Sequence, residues 1–266
     1  MKCAEFAATT KQQRRELAKA HDKEMRSSYG HEIEECVKST VVYGPDAPVV
    51  FPLERQTEFH LTANDAVTEI FNDYGGSCCV LNFASYINPG GGYLSGSRAQ
   101  EECLCHSSVL YPVLDRFRYS YYAWNSEHMN KGMYCDRALY TPDVPFVNGD
   151  VVTLCDVLTC AAPNLGIGLR YGSFGSLENL VALRRRINVL LSVAAVNRCD
   201  TLILGAFGCG AFLNDPADVA RIFAEELQSN FRGCFKNVVF AIPEPSGWNY
   251  KTFESVFKEQ DLLRKH

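Results

Sequence analysis

Three consecutive glycines and a pair of acids form the most informative pattern in this chain. Asn88-Pro89 leads into Gly90–Gly92, and Gln100, Glu101 and Glu102 follow after seven intervening residues. Glycine has no side chain, so a ligand can lie directly on the backbone N–H groups of such a run. Successive residues of a helix point about 100° apart, so the two glutamates cannot act on the same atom. The pattern predicts one carboxyl group that does acid–base chemistry on a ligand held by backbone amides.

A second glycine-containing segment, Leu204–Phe212, has the character of a ligand loop. Gly208 and Gly210 lie near its end, and Asp215-Pro216 then begins a predicted helix. Asp is a preferred N-cap residue and Pro a preferred first-turn residue. Because N–H groups near a helix N-terminus bind phosphate oxygens, the segment predicts an anion site. The same residues could also form a plain connector between a strand and a helix.

Both glycine loops follow unbroken apolar segments that predict buried strands. Such strands usually lie in a sheet with helices on both faces. The predicted fold is therefore a three-layer α/β/α arrangement around a mixed sheet, with an N-terminal helical extension. Its strands are predicted at 39–43, 49–51, 77–83, 151–160, 201–204 and 237–242, and its helices at 10–37, 62–74, 99–109, 176–198 and 215–228. Region 112–150 is predicted to hold an inserted hairpin and loops, and 163–176 a mobile surface loop.

The overall composition excludes several kinds of function. The 266 residues carry a formal net charge of −5, which argues against a broad nucleic-acid-binding surface. No apolar run approaches the ~20 residues of a membrane helix, and residues 1–15 lack the apolar core of a signal peptide. We therefore expect a cytoplasmic protein that binds neither DNA nor membranes directly.

The twelve cysteines are scattered along the chain. Without a secretion signal they are expected to be reduced and mostly buried. The tightest cluster of potential metal ligands is Cys103, Cys105 and His106, but residues 103 and 105 diverge on a helix and there is no CxxC pair. Cys209 has no nearby histidine motif that would make it a nucleophile. We expect no metal site and no catalytic thiol.

The triglycine and the Gln-Glu-Glu run together resemble a family signature. The bacterial-type (microbial) poly(ADP-ribose) glycohydrolases carry a triglycine, six to eight residues, and then Gln-Glu-Glu. Leu204–Phe212 is similar to the second ligand loop of this macrodomain-like family, and segments 81–85 and 140–145 extend the resemblance. It implies a single domain over residues 1–266. Residues 1–75 would form the helical extension and first strands, and 76–266 the catalytic macrodomain core.

The resemblance also implies a reaction and a role for each site residue. The reaction is hydrolysis of the ribose–ribose O-glycosidic bonds of poly(ADP-ribose), which releases ADP-ribose and requires no cofactor. Glu102 would be the general acid and base, and Glu101 would hold ribose hydroxyls. Asn88 would contact the distal ribose, Gln100 would shape the first loop, and Phe212 would pack over the substrate ribose. The remaining substrate-binding residues would be Gly90, Gly91, Gly92, Gly208, Cys209, Gly210 and Ala211.

Two other functions use the same glycine loops. A non-catalytic ADP-ribose-binding macrodomain needs the loops but not the acids, so the presence of Glu101 and Glu102 favours catalysis. A hydrolase of protein-linked mono-ADP-ribose shares every residue named above. The expected partners are therefore poly(ADP-ribose) or ADP-ribosylated proteins, and the sequence does not separate exo from endo cleavage.

Overall fold

A seven-stranded mixed sheet lies at the centre of the computed structural model, which describes residues 9–46 and 48–263. In chain order the strands are β1 (Val41–Tyr43), β2 (Glu58–Thr62), β3 (Cys78–Phe83), β4 (Ala138–Asn148), β5 (Val151–Cys160), β6 (Thr201–Leu204) and β7 (Asn237–Ala241). Their order across the sheet is β1-β4-β5-β3-β6-β7-β2. β4 runs antiparallel to β1 and β5, and the other pairs are parallel. Because β3 and β6 are parallel neighbours, the two glycine loops leave the sheet side by side at the carboxyl ends of these strands.

Helices cover both faces of this sheet. They are α1 (Lys11–Ser28), α2 (Gly30–Ser39), α3 (Ala66–Ile70), α4 (Gln100–His106), α5 (Leu110–Asp115), α6 (Ala123–Glu127), α7 (Leu165–Tyr171), α8 (Ser176–Val196), α9 (Pro216–Gln228) and α10 (Trp248–Glu259). A π-helical turn, Arg118–Tyr122, precedes α6. Of the helices in the described part of the chain, none combines the length and apolar character needed to cross a bilayer.

Two apolar cores lie on opposite faces of the sheet. In β3, Cys79 and Leu81 belong to one core and Val80 to the other, because successive strand residues point to opposite faces. Helices α8, α9 and α10 contribute to the first core, and α1 to α5 contribute to the second. The predicted three-layer α/β/α arrangement with an N-terminal helical extension is confirmed.

Several predicted elements differ from the structure. Residues 49–51 form no strand, and Val49 and Phe51 are exposed there. The edge strand β2 was not predicted, because its sequence Glu-Phe-His-Leu-Thr is partly polar and only half-buried. The predicted loop over 163–176 contains α7, whose first turn is capped by the Asn164 side chain. Region 112–150 contains the end of α5, α6 and the whole of β4, and it holds no complete hairpin. β4 instead pairs with β5, which lies after this region.

The predicted helix over 62–74 is shortened to α3. Asp65, and neither Thr62 nor Asn64, caps it by accepting a hydrogen bond from the Thr68 N–H. The buried Glu69 carboxylate organises the rest of the segment by accepting hydrogen bonds from four side chains. The donors are Thr62, Asn64 and Asn72, each at 2.8 Å, and the Tyr74 hydroxyl. These bonds close the segment into a loop around one carboxylate, so the helical pattern does not continue.

Candidate active site

Gln100 joins the start of α4 to the end of β3. Its Oε1 accepts a hydrogen bond from the Phe83 N–H at 2.9 Å, and its Nε2 donates to the Leu81 carbonyl at 2.7 Å. The side chain therefore satisfies backbone groups where the strand turns into the first glycine loop. It fixes the position of the next two residues, Glu101 and Glu102, relative to that loop.

Glu101 accepts hydrogen bonds from more residues than Glu102 does. Its Oε2 accepts a hydrogen bond from the Ser85 N–H at 2.7 Å, and its Oε1 accepts one from Asn82 Nδ2 at 3.3 Å. Burial raises its pKa to about 8, with the neighbouring Glu102 charge adding to the rise and the Ser85, Asn82 and Gly90 hydrogen bonds opposing it. Glu101 is therefore predominantly protonated at neutral pH.

Glu102 is held by one backbone donor on each oxygen. The Gly92 N–H donates to Oε1 and the Ala99 N–H to Oε2, both at 2.7 Å. The carboxyl group thus bridges the triglycine and the residue before α4. One donor per oxygen leaves acceptor capacity on both oxygens, so Glu102 can still bond to a substrate oxygen or a water.

The triglycine allows both acids to approach the backbone. A Cβ on Gly91 would lie 2.6 Å from Glu102 Oε1 and 2.8 Å from Glu101 Oε2, and the residue has a left-handed φ of +58°. The Gly90 N–H is bonded to Glu101, and the Gly91 N–H donates to the Asn88 carbonyl at 3.0 Å. With the Gly92 N–H on Glu102, all three amides are engaged inside the protein. The prediction of amides open to a ligand is therefore wrong for this loop.

The buried Glu101 carboxyl predicts a pH-dependent stability. Its pKa is about 8 when folded and near the ordinary 4.5 when unfolded, so stability should fall as pH rises between these values. Burial lowers the pKa of half-buried His21 and of buried His106, so these groups change the stability only at pH values below about their ordinary pKa of 6.5. Between pH 6.5 and about pH 8, we expect the free energy of unfolding to fall by up to ~1.4 kcal/mol per pH unit. Urea unfolding measures it. Glu101→Gln is neutral at every pH and should remove this slope, whereas equal slopes in the two proteins would contradict the assignment.

Asn88 lies at the open side of the first loop. It is exposed, and its N–H donates to Ser85 Oγ at 3.2 Å. Its side-chain amide makes no hydrogen bond within the described part of the chain, so it remains available to a ligand. This position beside the acid pair fits the predicted ribose contact.

The second glycine loop has unused backbone donors. Within residues 9–46 and 48–263, the N–H groups of Gly208, Gly210, Ala211 and Phe212 have no acceptor. Asn214 is buried and holds the loop by donating to the carbonyls of Gly208 and Pro163. The loop is therefore a fixed set of free N–H groups, which suits an anion.

The local geometry gives Gly208 and Gly210 different roles in this loop. Gly208 has a φ of +73°, and a Cβ there would lie 2.6 Å from the Ala162 Cβ. Gly210 has neither constraint, since a Cβ there would meet nothing within 4 Å. A side chain at Gly210 would therefore not disturb the backbone, but it would project into open space at the cleft that Gly210 lines. The N-terminus of α9 is capped by its own Asp215 side chain.

A cleft of about 120 Å³ separates the two loops. Ala84, directly after β3, and Gln100, at the start of α4, line one side, and the second loop contributes Phe212 together with backbone. The Phe212 ring packs edge-on against Tyr134 at 5.9 Å. The other lining residues are Phe83, Ala99, Ala162, Ala206, Phe207, Gly208, Gly210 and Ala211. The structure thus brings Gln100 and the second loop to one cleft, whereas Asn88, Gly90–Gly92, Glu101 and Glu102 do not line it.

Cys209 does not line this cleft. Its Sγ lies 3.8 Å from the Phe207 carbonyl, and burial raises its thiol pKa to about 12. A thiol that remains protonated is a poor nucleophile. Its N–H donates to the Ala206 carbonyl at 3.1 Å, so Cys209 offers a ligand neither its side chain nor a free N–H group.

Comparison with known proteins agrees with this geometry. A family model described as the catalytic domain of microbial-type PARG, the poly(ADP-ribose) glycohydrolases, matches residues 7–149. This match covers more than half of the chain. The chain belongs to the microbial-type poly(ADP-ribose) glycohydrolase family. No curated protein matched the sequence.

Solved structures of bacterial poly(ADP-ribose) glycohydrolases resemble most of the chain. The enzyme from Deinococcus radiodurans in complex with ADP-ribose is 30% identical, with a TM-score of 0.76 over 85% of this chain and 97% of that one. The enzyme from Thermomonospora curvata is 29% identical, with a TM-score of 0.80 over 94% and 99%. The latter enzyme bound to the inhibitor ADP-HPD is 30% identical, with a TM-score of 0.77 over 92% and 99%. The present chain is thus a poly(ADP-ribose) glycohydrolase.

The glycohydrolase shows no metal-binding cluster in its described residues. Across 9–46 and 48–263, no three His, Cys, Asp or Glu side chains are grouped to hold an ion. Within the cysteine–histidine cluster weighed from the sequence, Cys103 is disulfide-bonded, which differs from the expected reduced state. Cys105 is buried, and burial raises its pKa well above the ordinary value.

Asn82 is a site residue that the sequence analysis missed. It is fully buried in β3, and its Nδ2 contacts both Glu101 Oε1 and Thr159 Oγ1 at 3.3 Å. The sequence could have indicated this residue, because Asn82 is the one polar residue in the apolar run Val80–Phe83. A buried polar side chain requires a partner, and here the partners are Glu101 and Thr159.

Proposed function

We propose that Glu102 is the general acid and base of this poly(ADP-ribose) glycohydrolase and that ADP-ribose is the product. The observation that carries the proposal is the pair of carboxyl groups fixed against Gly91 at the end of β3, beside a loop of free N–H groups. Such a site can hold a diphosphate on one side and a glycosidic bond on the other. No cofactor is needed for this chemistry.

Glu102 would act twice in the reaction. It first gives a proton to the glycosidic oxygen as the bond to the ribose carbon breaks through an oxocarbenium-like state. It then takes a proton from the water that attacks this carbon, which restores its starting form. Its two backbone donors hold the carboxyl group in one orientation throughout, as acid–base catalysis requires.

Glu101 would hold the ribose and limit the charge of the site. Its raised pKa leaves it predominantly neutral near pH 7, so it can donate a hydrogen bond to a ribose oxygen. Asn88 would contact the same distal ribose from the exposed side, and Phe212 would pack over it.

The second loop would bind the diphosphate. Hydrogen bonds from its free N–H groups to a charged oxygen contribute ~1.5–3 kcal/mol each. Gly210→Val adds a side chain whose Cβ would meet nothing within 4 Å, and we expect the dissociation constant for ADP-ribose to rise at least about tenfold. Calorimetric titration measures this, and Gly44→Val, at another unobstructed glycine, is the matched control. If folded Gly210→Val bound ADP-ribose with unchanged affinity, the second loop would only connect β6 to α9 and would not bind the diphosphate.

We further propose that residues 1–266 form one macrodomain-like catalytic domain that acts in the cytoplasm. The region before residue 76 supplies β1 and β2, which form the two edges of the sheet. Its helices α1 to α3 cover one face of that sheet. The proposed partners are poly(ADP-ribose) and ADP-ribosylated proteins, with no direct binding to DNA or membranes.

Incubation with two substrates tests the proposed function. The purified protein is expected to release monomeric ADP-ribose from poly(ADP-ribose) without added metal. Mono-ADP-ribosylated protein, assayed in parallel with product identification, tests the alternative substrate. Release from the mono-modified protein alone would replace the polymer assignment, and activity lost to a chelator and restored by zinc would contradict the metal-free mechanism.

A further inference from the structure

Four side chains form a continuous stack next to the first glycine loop. The Arg137 guanidinium lies 4.7 Å from the Tyr121 ring centroid and 4.0 Å from that of Trp124. On Trp124 the His128 ring is stacked at 3.7 Å, with 6° between the planes. Two groups this close cannot share one face of the indole, so Trp124 lies between Arg137 and His128. His128 is the outermost layer and is exposed.

The stack is held in place without a ligand. His128 Nδ1 donates to the Trp124 carbonyl at 2.7 Å, which fixes the plane of the imidazole. Arg137 Nη1 donates to Asn125 Oδ1 at 2.8 Å, and Tyr121 is buried. A ring already fixed in its orientation loses little conformational entropy when another ring stacks on it. The exposed face of His128 is therefore a prepared stacking surface.

Hydrogen bonds attach this stack to the loop that holds Glu101. Asn125 Nδ2 donates to the Tyr86 carbonyl at 2.8 Å, and the Tyr86 hydroxyl donates to the His128 carbonyl at 3.1 Å. Tyr86 directly follows Ser85, whose N–H is bonded to Glu101. Residues 121–128 do not line the cleft between the two loops. The stack is thus hydrogen-bonded to the segment whose Ser85 N–H holds Glu101, and it lies outside the cleft that contains Gln100 and the second loop.

We propose that His128 and Trp124 form a subsite for the adenine of the neighbouring ADP-ribose unit, on the leaving side of the bond that is cut. This inference rests on the proposed function. The scissile bond joins the distal ribose of one unit to the adenosine ribose of the next, so the next adenine is one sugar away from the glycosidic oxygen. Aromatic rings bind bases by stacking, and the His128 face is the exposed ring surface of the stack.

Substitutions at His128 test the subsite through the split between KM and kcat. His128→Leu keeps an apolar side chain but removes the ring, and we expect KM for poly(ADP-ribose) to rise about tenfold, equivalent to about 1.4 kcal/mol. We expect kcat and the calorimetric dissociation constant of free ADP-ribose to be retained. His128→Phe restores a stacking ring and should recover the low KM. Tyr119→Ala, which removes an aromatic ring with 89% of its surface exposed on the same segment, is the matched control.

Three results would overturn the subsite. One is an unchanged KM for polymer in folded His128→Leu. Another is an equal loss in His128→Phe, because stacking would then not explain the effect. The third is an equal rise in KM for mono-ADP-ribosylated protein, which carries no neighbouring adenine. Failure of the catalytic proposal is distinguishable, since it would appear as normal turnover in Glu102→Gln.

Discussion

Replacing Glu102 with glutamine should lower kcat on poly(ADP-ribose) by ~10²–10⁴-fold, the usual contribution of a general acid–base group. Glutamine has nearly the same shape but cannot give a proton to the glycosidic oxygen or take one from water. It can still accept a hydrogen bond from either the Gly92 or the Ala99 N–H, so the loop is expected to stay folded. ADP-ribose affinity should remain close to wild type. Steady-state kinetics and calorimetric titration measure the two quantities.

Glu101→Gln is the matched control for this experiment. The amide imitates the protonated carboxyl group that Glu101 carries near neutral pH. We expect this variant to keep much more kcat than Glu102→Gln and to show weaker ribose binding. If Glu101→Gln lost turnover and Glu102→Gln kept it, the catalytic roles would be exchanged. Circular dichroism and the melting temperature of both variants separate these results from misfolding.

Much of the site architecture could be predicted, because short segments of the sequence determine the strands, loops and helix start that form it. The apolar runs before both glycine loops predicted β3 and β6, and parallel strands place the loops that follow them at one edge of a sheet. Asp215 and Pro216 marked the start of α9 correctly. The second loop also has the free N–H groups expected of it. In each case the residues that determine the structure lie within a few positions of one another.

The remaining features depend on contacts between distant segments. The amides of Gly90–Gly92 were expected to face a ligand, but Gly90 and Gly92 donate to carboxyl groups of residues about ten positions later, and Gly91 donates to the Asn88 carbonyl. The stack beneath His128 joins side chains from 121–128 to Arg137 and to the loop around Tyr86. The strand β2 becomes stable only by pairing with β7, almost two hundred residues away. Neither periodicity nor composition carries information of this kind.

Gly91→Ala should remove most of the activity, because one methyl group would displace both acids. A Cβ at this position would lie within 2.8 Å of a carboxyl oxygen from each of Glu101 and Glu102. A displacement of about 1 Å in a catalytic group can cost ~10²-fold in rate, and we expect a loss of kcat of at least that size. Steady-state kinetics on poly(ADP-ribose) measures it.

The control for Gly91→Ala must separate the clash from the cost of a left-handed backbone. Gly172 has the same φ of +58°, but a Cβ there would meet nothing within 4 Å. Gly172→Ala therefore carries the conformational cost alone, of the order of 1–2 kcal/mol, and should lose stability but keep its kcat. Gly91→Ala should lose both. If the two variants had equal kcat, the triglycine would be needed only for its turn, and the close approach of the two carboxyl groups to Gly91 would not matter for catalysis.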